Sequence, residues 1–455
     1  MTLNDCAKEL AVNNTLRSSA FESADGFGEV YLWQPPLQPL LTAVIYKLFG
    51  FGIWQTRVPP VFFGSCLAGL LFIIGRKLFQ NQMAGFLSAL FFILNPLFLQ
   101  MVRSGRMDGQ FLFLSVLGIY FFFRWNDKGR HRKWLTFSGF AFGAACITHP
   151  TGIVWVLAGC ILLAIDESGG RIKNMLTFTF SAALFPMMWI LWALRTPELF
   201  WKQFIGHGVD RLTGGSIIER PIREIYRYVR DYRRTPLLLI SYAASFVWFI
   251  RYRKISPHLF RSLFVLFMVP FLFSMFFMTK EASGYYSLLP CLILSLCTGA
   301  MFVHWFRIIP PKMKWIPAMV FTIVISNMLA SGLLGRYMVL AQQWRFRDYR
   351  VVESAIDRSI PKGSLVIGPP QIWYAIVKSG STLKLGQNPD PAVHEFAVLA
   401  VEDKPHSLPG YKKIAEFGKP LPPLFGRIQL ETADYNLEIW KSDIGSTDGE
   451  RMSLS

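Results

Sequence analysis

Scarcities narrow the class of this chain before any motif does. Acids are few, with 29 Asp and Glu against 47 Lys and Arg and a net charge of +18. A surplus of that size can mean nucleic acid, but no nucleic-acid module is visible and the basic residues gather in short loops beside apolar runs. The six cysteines show no metal spacing such as Cys-x-x-Cys. Cys66, Cys146, Cys160, Cys291 and Cys297 lie in apolar runs and Cys6 stands alone, so they read as small core residues. No basic stretch followed by an apolar one opens the chain, so no cleavable signal is expected.

Apolar runs are what the chain has in quantity. With 52% hydrophobic and only 17% charged residues over 455 positions, the expectation is a polytopic α-helical membrane protein rather than several soluble domains. Spans are expected at about 58–75, 83–101, 109–124, 134–149, 151–165, 174–194, 236–250, 262–278, 285–305 and 315–335, about ten in all. Alternate connections carry Arg76 and Lys77, Lys128 to Lys133, Arg171 and Lys173, Arg251 to Arg261, and Arg307 to Lys314. These basic loops are assigned to the cytoplasm. The loops around Asp108, His149, 195–235 and Lys280-Glu281 then share the opposite face with both termini.

Three regions follow. Residues 1–57 form an extracytoplasmic first loop, with a surface helix over Asp5 to Leu16, a turn at Asp25 to Gly28, and an interfacial or re-entrant helix whose first turn holds Pro35 and Pro36. Residues 58–343 are the bundle, including the long extracytoplasmic loop 195–235. In that loop Arg220, Arg223, Arg227 and Arg230 alternate at helical spacing with Ile222, Tyr226 and Val229, as in an amphipathic helix on anionic headgroups. Residues 344–455 read as a small extracytoplasmic α/β domain. It has a helix over Asp348 to Ser359 and strands at Ser364 to Gly368, Ala397 to Val401, Arg427 to Glu431 and Asn436 to Trp440. No chemistry is assigned to this tail; a binding or docking platform is expected.

The stretch Val102 to Gly109 sets three ionisable groups, Arg103, Arg106 and Asp108, between two apolar runs. A carboxylate at mid-bilayer would cost about 2.5–3.5 kcal/mol and far less at the interface. Asp108 is either an N-cap of the following helix or a functional acid. A dry membrane face with a few carboxylates and many cations suits transfer from a lipid-phosphate donor. There one carboxylate deprotonates the acceptor hydroxyl, and Arg or Lys neutralises the departing phosphate.

Several pieces then fall in a familiar order: an acid-headed loop helix, Gln-Pro-Pro-Leu, Leu-Phe-Gly before Arg57, Arg-Met-Asp, Thr-His-Pro-Thr-Gly, and Phe-Trp before Asp210-Arg211. Over about residues 3–335 the chain resembles the GT-C membrane glycosyltransferases of the protein O-mannosyltransferase and aminoarabinose transferase superfamily. The resemblance implies an inverting transfer of a sugar from a polyprenyl-phosphate carrier to a protein, lipid or glycan acceptor. It also implies an integral protein of the inner or plasma membrane with its site extracytoplasmic. Carried over residue by residue, it makes Asp5 the catalytic base and Asp108 the second acid, and it puts Arg106, Arg211, Lys280 and His149 at the donor phosphate. Trp33, Gln34, His207 and Tyr286 would line the substrate pocket. Where the family commonly has Asp-Glu this chain has Asp5-Cys6, and Gln34 precedes Pro35 where relatives often carry an acid or His. No cofactor is therefore assigned, a divalent metal being the one candidate, and the relatives' additional first span has no counterpart here. Plainer readings stand beside these: His149 as a helix-end hydrogen-bonder, Lys280 as a snorkelling interfacial cation, Tyr285 and Tyr286 as an aromatic belt. The runner-up function is a lipid or small-molecule transporter or flippase, which would place ionisable groups near the midplane.

Overall fold

The structure, a computed structural model, describes residues 2–443 other than 22–24, 128, 167–169, 213–215, 217, 255, 278–283, 336, 339–340, 342–347, 387, 401–407 and 419–435. The chain divides into two compact units. One is made of residues 1–31, 42–56 and 336–455, the other of 32–41 and 57–335. The first-loop helices thus group largely with the C-terminal region, and the bundle takes in the segment from Leu32.

The bundle unit is helical. Its main elements are α3 (Ile53–Phe79), α4 (Gln82–Ile93), α5 (Pro96–Arg103), α6 (Asp108–Asp127), α7 (Arg132–Cys146), α8 (Ile153–Ala164) and α9 (Arg171–Ala193). After the short α10 (Pro197–Phe200) and α11 (His207–Leu212) come α12 (Glu219–Asp231), α13 (Pro236–Tyr252), α14 (Pro257–Phe277), α15 (Leu288–Ile308) and α16 (Trp315–Met328). Among the described residues, five helices are long and apolar enough to cross a membrane: 53–79, 171–193, 257–277, 288–308 and 311–331. The stretch expected as one span at 83–101 is two helices bent by 65°, which would make a sixth if counted together. The bend falls at Asn95-Pro96, because proline cannot donate to the preceding turn and the residue before it is pushed out of helical geometry. Elsewhere small residues let helices touch. A Cβ on Gly85 would lie 2.5 Å from the Phe72 carbonyl oxygen, and one on Gly299 2.5 Å from the Ser88 amide.

In the other unit, α1 (Thr2–Asn13) and the later turns of α2 (Leu37–Phe49) join a five-stranded sheet ordered β2-β1-β3-β5-β4. The strands are β1 (Leu365–Gly368), β2 (Thr382–Leu385), β3 (Phe396–Ala400), β4 (Tyr411–Phe417) and β5 (Leu437–Ser442). β1 runs parallel to β2 and β3, while β5 is antiparallel to β3 and β4. The helices here are α17 (Tyr349–Ser359), capped by the Asp348 carboxylate on the Arg350 amide, and α18 (Trp373–Lys378). Three expected strands stand within a residue or two of their positions, β2 and β4 are additional, and the expected strand at 427–431 lies outside the described residues. Helix α2 begins after Pro35 and Pro36, not on them. Pro39 occupies its first turn, where a missing amide donor costs nothing.

Candidate active site

In the bundle unit, α5 ends at Arg103 and the chain turns through Gly105, at φ +67°, into the first residue of α6, Asp108. Asp108 is only 5% exposed, and its Oδ2 accepts from Arg106 Nε at 2.7 Å. The carboxylate is thus paired with a guanidinium two residues away, a charge-assisted bond stronger than a neutral cap. Gly109 beside it lets α6 approach α3 closely, since a Cβ there would lie 3.0 Å from the Pro60 carbonyl oxygen. Arg103 turns back to its own helix, Nε donating to the Leu99 carbonyl at 3.1 Å.

The Thr148-His149-Pro150-Thr151-Gly152 turn folds back on the end of α7 so tightly that a Cβ on Gly152 would lie 2.5 Å from the Cys146 amide. His149, 4% exposed, is extended (φ −147°) and accepts the Thr151 amide at Nδ1 (3.2 Å), with the Thr151 hydroxyl at 2.7 Å. A neutral ring that accepts at Nδ1 carries its proton on Nε2, which faces the Tyr286 hydroxyl at 3.2 Å. In that tautomer the Tyr286 oxygen accepts from the imidazole. The imidazole also packs 5.4 Å from the Phe111 ring, one turn into α6. Gln110, fully buried, donates to Thr148 Oγ1 at 3.4 Å. Asp108's helix, the His149 turn and Tyr286 therefore meet at one end of the bundle.

The Trp33-Gln34 segment reaches the same turn. Leu37 N donates to the Ile147 carbonyl at 3.0 Å, Leu32 N donates to Gln203 Oε1 at 2.6 Å, and the Trp33 and His207 rings meet edge-on at 5.0 Å. Gln203 belongs to a π-helical turn, Trp201–Gly206, a geometry that often marks functional sites. Arg211 lies in the helix that begins at His207, and its side chain is outside the described residues, as is the whole of Lys280.

Two buried polar clusters stand behind this end of the bundle, and the sequence reading missed both. At the 65° bend Asn95, fully buried, caps α5 through the Leu97 amide and donates to Tyr232 (2.9 Å) and Tyr242 (3.4 Å). Tyr242 meets Ser295 at 2.9 Å and Tyr232 meets Cys291 Sγ at 3.3 Å. Asn-Pro inside an apolar run was the available signal. In α12, Arg227 pairs with Glu224, which also accepts from Ser274 of α14, while Ile222, Tyr226 and Val229 are exposed. The arginine helix thus turns part of its charge inward and its apolar row outward.

Asp5 belongs to the other unit and is enclosed, with no exposed surface. Oδ2 accepts from Ser18 Oγ (2.7 Å) and Ala20 N (2.9 Å); Oδ1 accepts from Ser19 Oγ (3.1 Å). Cys6 beside it is buried too, and burial pushes its thiol up. Burial alone would raise the Glu9 carboxyl, but bonds from Asn13, Lys8 and Arg17 and the Lys8 charge outweigh it and hold Glu9 below its ordinary value. Among the described residues no group of three or more His, Cys, Asp or Glu side chains comes together. Asp5, bonded to Ser18, Ser19 and Ala20, and Asp108, paired with Arg106, are not disposed as metal ligands.

Residues 33–192 match the family model described as dolichyl-phosphate-mannose-protein mannosyltransferase. An uncharacterized protein of Aquifex aeolicus (strain VF5) is 24% identical over 209 residues, 44% of this chain, which spans 41% of that relative. Among solved structures, ArnT from Cupriavidus metallidurans bound to undecaprenyl phosphate superposes with a TM-score of 0.66 at 14% identity, covering 96% of this chain and 92% of that one. The arabinofuranosyltransferase AftD from Mycobacteria gives 0.55 at 13% identity, covering 97% of this chain and 39% of AftD. The resemblance seen in the sequence is borne out at the level of fold: this chain has the GT-C architecture of ArnT, and the stretch bearing Trp33, Arg106, Asp108 and His149 is the one that matches the mannosyltransferase family.

Proposed function

We propose that this chain is an inverting glycosyltransferase that moves a sugar from a polyprenyl-phosphate carrier to a hydroxyl acceptor on the extracytoplasmic face of the membrane. The observation that carries the proposal is the convergence, at one end of the bundle, of the Asp108–Arg106 pair with His149, Tyr286 and the Trp33–His207 contact. Most of these lie in the family-matched stretch, within a fold shared with a protein solved on undecaprenyl phosphate.

In this reading the acceptor oxygen attacks the anomeric carbon, its proton passes to a carboxylate, and the carrier phosphate leaves with the bonding electrons. Arg106, held by Asp108, and the Tyr286 hydroxyl, oriented by His149, meet the departing phosphate together with Arg211 and Lys280. Trp33, Gln34 and His207 shape the sugar pocket. Asp5 is the base. Oδ2 accepts twice, from Ser18 and Ala20, whereas Oδ1 accepts only from Ser19, in the longest of the three bonds. Ser19 is half-buried, whereas Ser18 and Ala20 are fully covered. An incoming acceptor hydroxyl takes the place of the Ser19 hydroxyl.

The test is to mix purified protein with labelled polyprenyl-phosphate sugars. Transfer releases the lipid phosphate, whereas a transporter or flippase leaves the donor intact, and an intact donor across the carriers and sugars tried would overturn the proposal. Orientation has its own check. A cysteine at exposed His131 should be shielded from impermeant thiol reagent in intact cells, and one at exposed Lys362 should label.

A further inference from the structure

We infer that the C-terminal α/β region acts as the positioning element of the first-loop acid, with Tyr374 and Lys384 as its positioning residues; the inference rests on Asp5 being the base. Two stitches join this region to the chain around Asp5, all inside one compact unit. At the first, Asn4 Nδ2, on the residue before Asp5, donates to the Tyr374 hydroxyl at 3.2 Å. Tyr374 in turn donates to Thr56 Oγ1 at 2.7 Å, on which Tyr46 of α2 also converges. Phe51 closes the node, stacked on Tyr374 and edge-on to Tyr46 and Trp373. At the second, the segment that grips the carboxylate is sewn to β2. Lys384 Nζ donates to the Ser19 carbonyl at 3.2 Å, and Leu385 N donates to the Ala20 carbonyl at 3.4 Å.

β2 lies at the edge of the sheet, where unpaired backbone groups are normally a liability. Here the Ala20 carbonyl takes up one of them, and the Ala20 side chain is buried in the domain core with Val366, Trp373 and Leu383. Both the helix that carries Asp5 and the three donors that orient it are therefore referenced to residues more than three hundred positions away. Placing a base within hydrogen-bond reach of its proton is the requirement that such referencing meets.

Cys6, buried next to Asp5, reports the state of this assembly without any turnover. The experiment measures maleimide modification of Cys6 by peptide mapping in the full-length protein in membranes, for wild type, Tyr374→Phe, Lys384→Met and the exposed control Lys362→Met. Each positioning variant loses one side chain's bonds, so Cys6 modification should rise about five- to tenfold. Transfer kcat should fall by a similar factor, KM for the lipid donor staying within about twofold, and the control should match wild type. On an Asp5→Asn background the two variants should cost no further activity. Unchanged Cys6 modification in both variants would overturn the inference, and so would faster modification with unchanged kcat. If wild type transfers no sugar, the functional reading fails instead, and the labelling alone still decides whether the domain holds the acid's loop.

Discussion

The two acids singled out from the sequence are both buried and are held in opposite ways. Asp5 sits among uncharged donors, two serine hydroxyls and a backbone amide, in a cage built by a loop. Asp108 sits at a helix start against one guanidinium that is itself partly exposed. A carboxylate held only by uncharged donors has no fixed counter-ion, whereas one bonded to Arg is half of an ion pair. On the proposed reading the two acids divide the labour: Asp5 is the proton acceptor, and Asp108 anchors the arginine that meets the donor phosphate.

Asp5 should show the largest effect. Asparagine keeps the shape and removes the acceptor, and loss of general-base help is worth about 10²–10⁴ in rate. Asp5→Asn should lower turnover by that much with lipid-donor binding nearly unchanged. Full turnover in Asp5→Asn would move the base to another acid; Asp25 and Glu29 are exposed, and Glu22 lies outside the described residues.

Asp108 should show the next largest effect. Because its partner is Arg106 and not a helix amide, Asp108→Asn should not behave as a neutral cap exchange. Loss of a bond to a charged group costs about 1.5–3 kcal/mol, a rate effect of about 10- to 100-fold. It should appear in donor KM as well as kcat, because on the proposed reading the displaced arginine meets the donor phosphate. A kcat loss with donor KM untouched would reverse the two assignments.

How much of this could be read beforehand depended on sequence distance. Arg106 and Asp108 are two residues apart, so their pairing could be suspected from spacing, and apolar runs located the bundle helices. His149 and Tyr286 are separated by 137 positions, and Asn4 and Tyr374 by 370. No local pattern encodes such contacts, so the first loop looked self-contained and the tail looked like a separate platform. β2 and β4 were missed for a local reason. Thr382–Leu385 is four residues with a lysine, and Tyr411–Phe417 carries two adjacent lysines and a Glu. Both are edge strands, one short and the other carrying charge, as edges that must resist pairing with other chains often are. The bend at Asn95 was legible in Asn-Pro, but the two tyrosines it bonds come from helices far along the chain.

Within the cage the two serines should separate. If Ser19 occupies the acceptor's place, Ser19→Ala should leave kcat within about twofold of wild type or raise it, since it gives up a bond that substrate replaces. Ser18→Ala should lower kcat about three- to tenfold, because the fully buried Oδ2 loses a partner that nothing replaces. Equal losses at both serines would mean that the cage is a fixed scaffold and that the acceptor enters elsewhere.

The smallest expected effect is on pH dependence, through Glu9, one turn along α1 from Asp5. Its carboxyl is held below the ordinary value of 4.5 in the folded chain, so folding favours the charged form. Its contribution is complete above about pH 4.5 and is lost as pH falls through the depressed folded value. As pH falls through that depressed value, the ties from Asn13 and Arg17 weaken, and Cys6 should become more reactive per unit of thiolate. Glu9→Gln should flatten that acid limb while leaving the neutral-pH reactivity of Cys6 nearly as in wild type, because glutamine still accepts a bond from Asn13. A limb that persists in Glu9→Gln would show that Glu9 is not the source of the acid sensitivity.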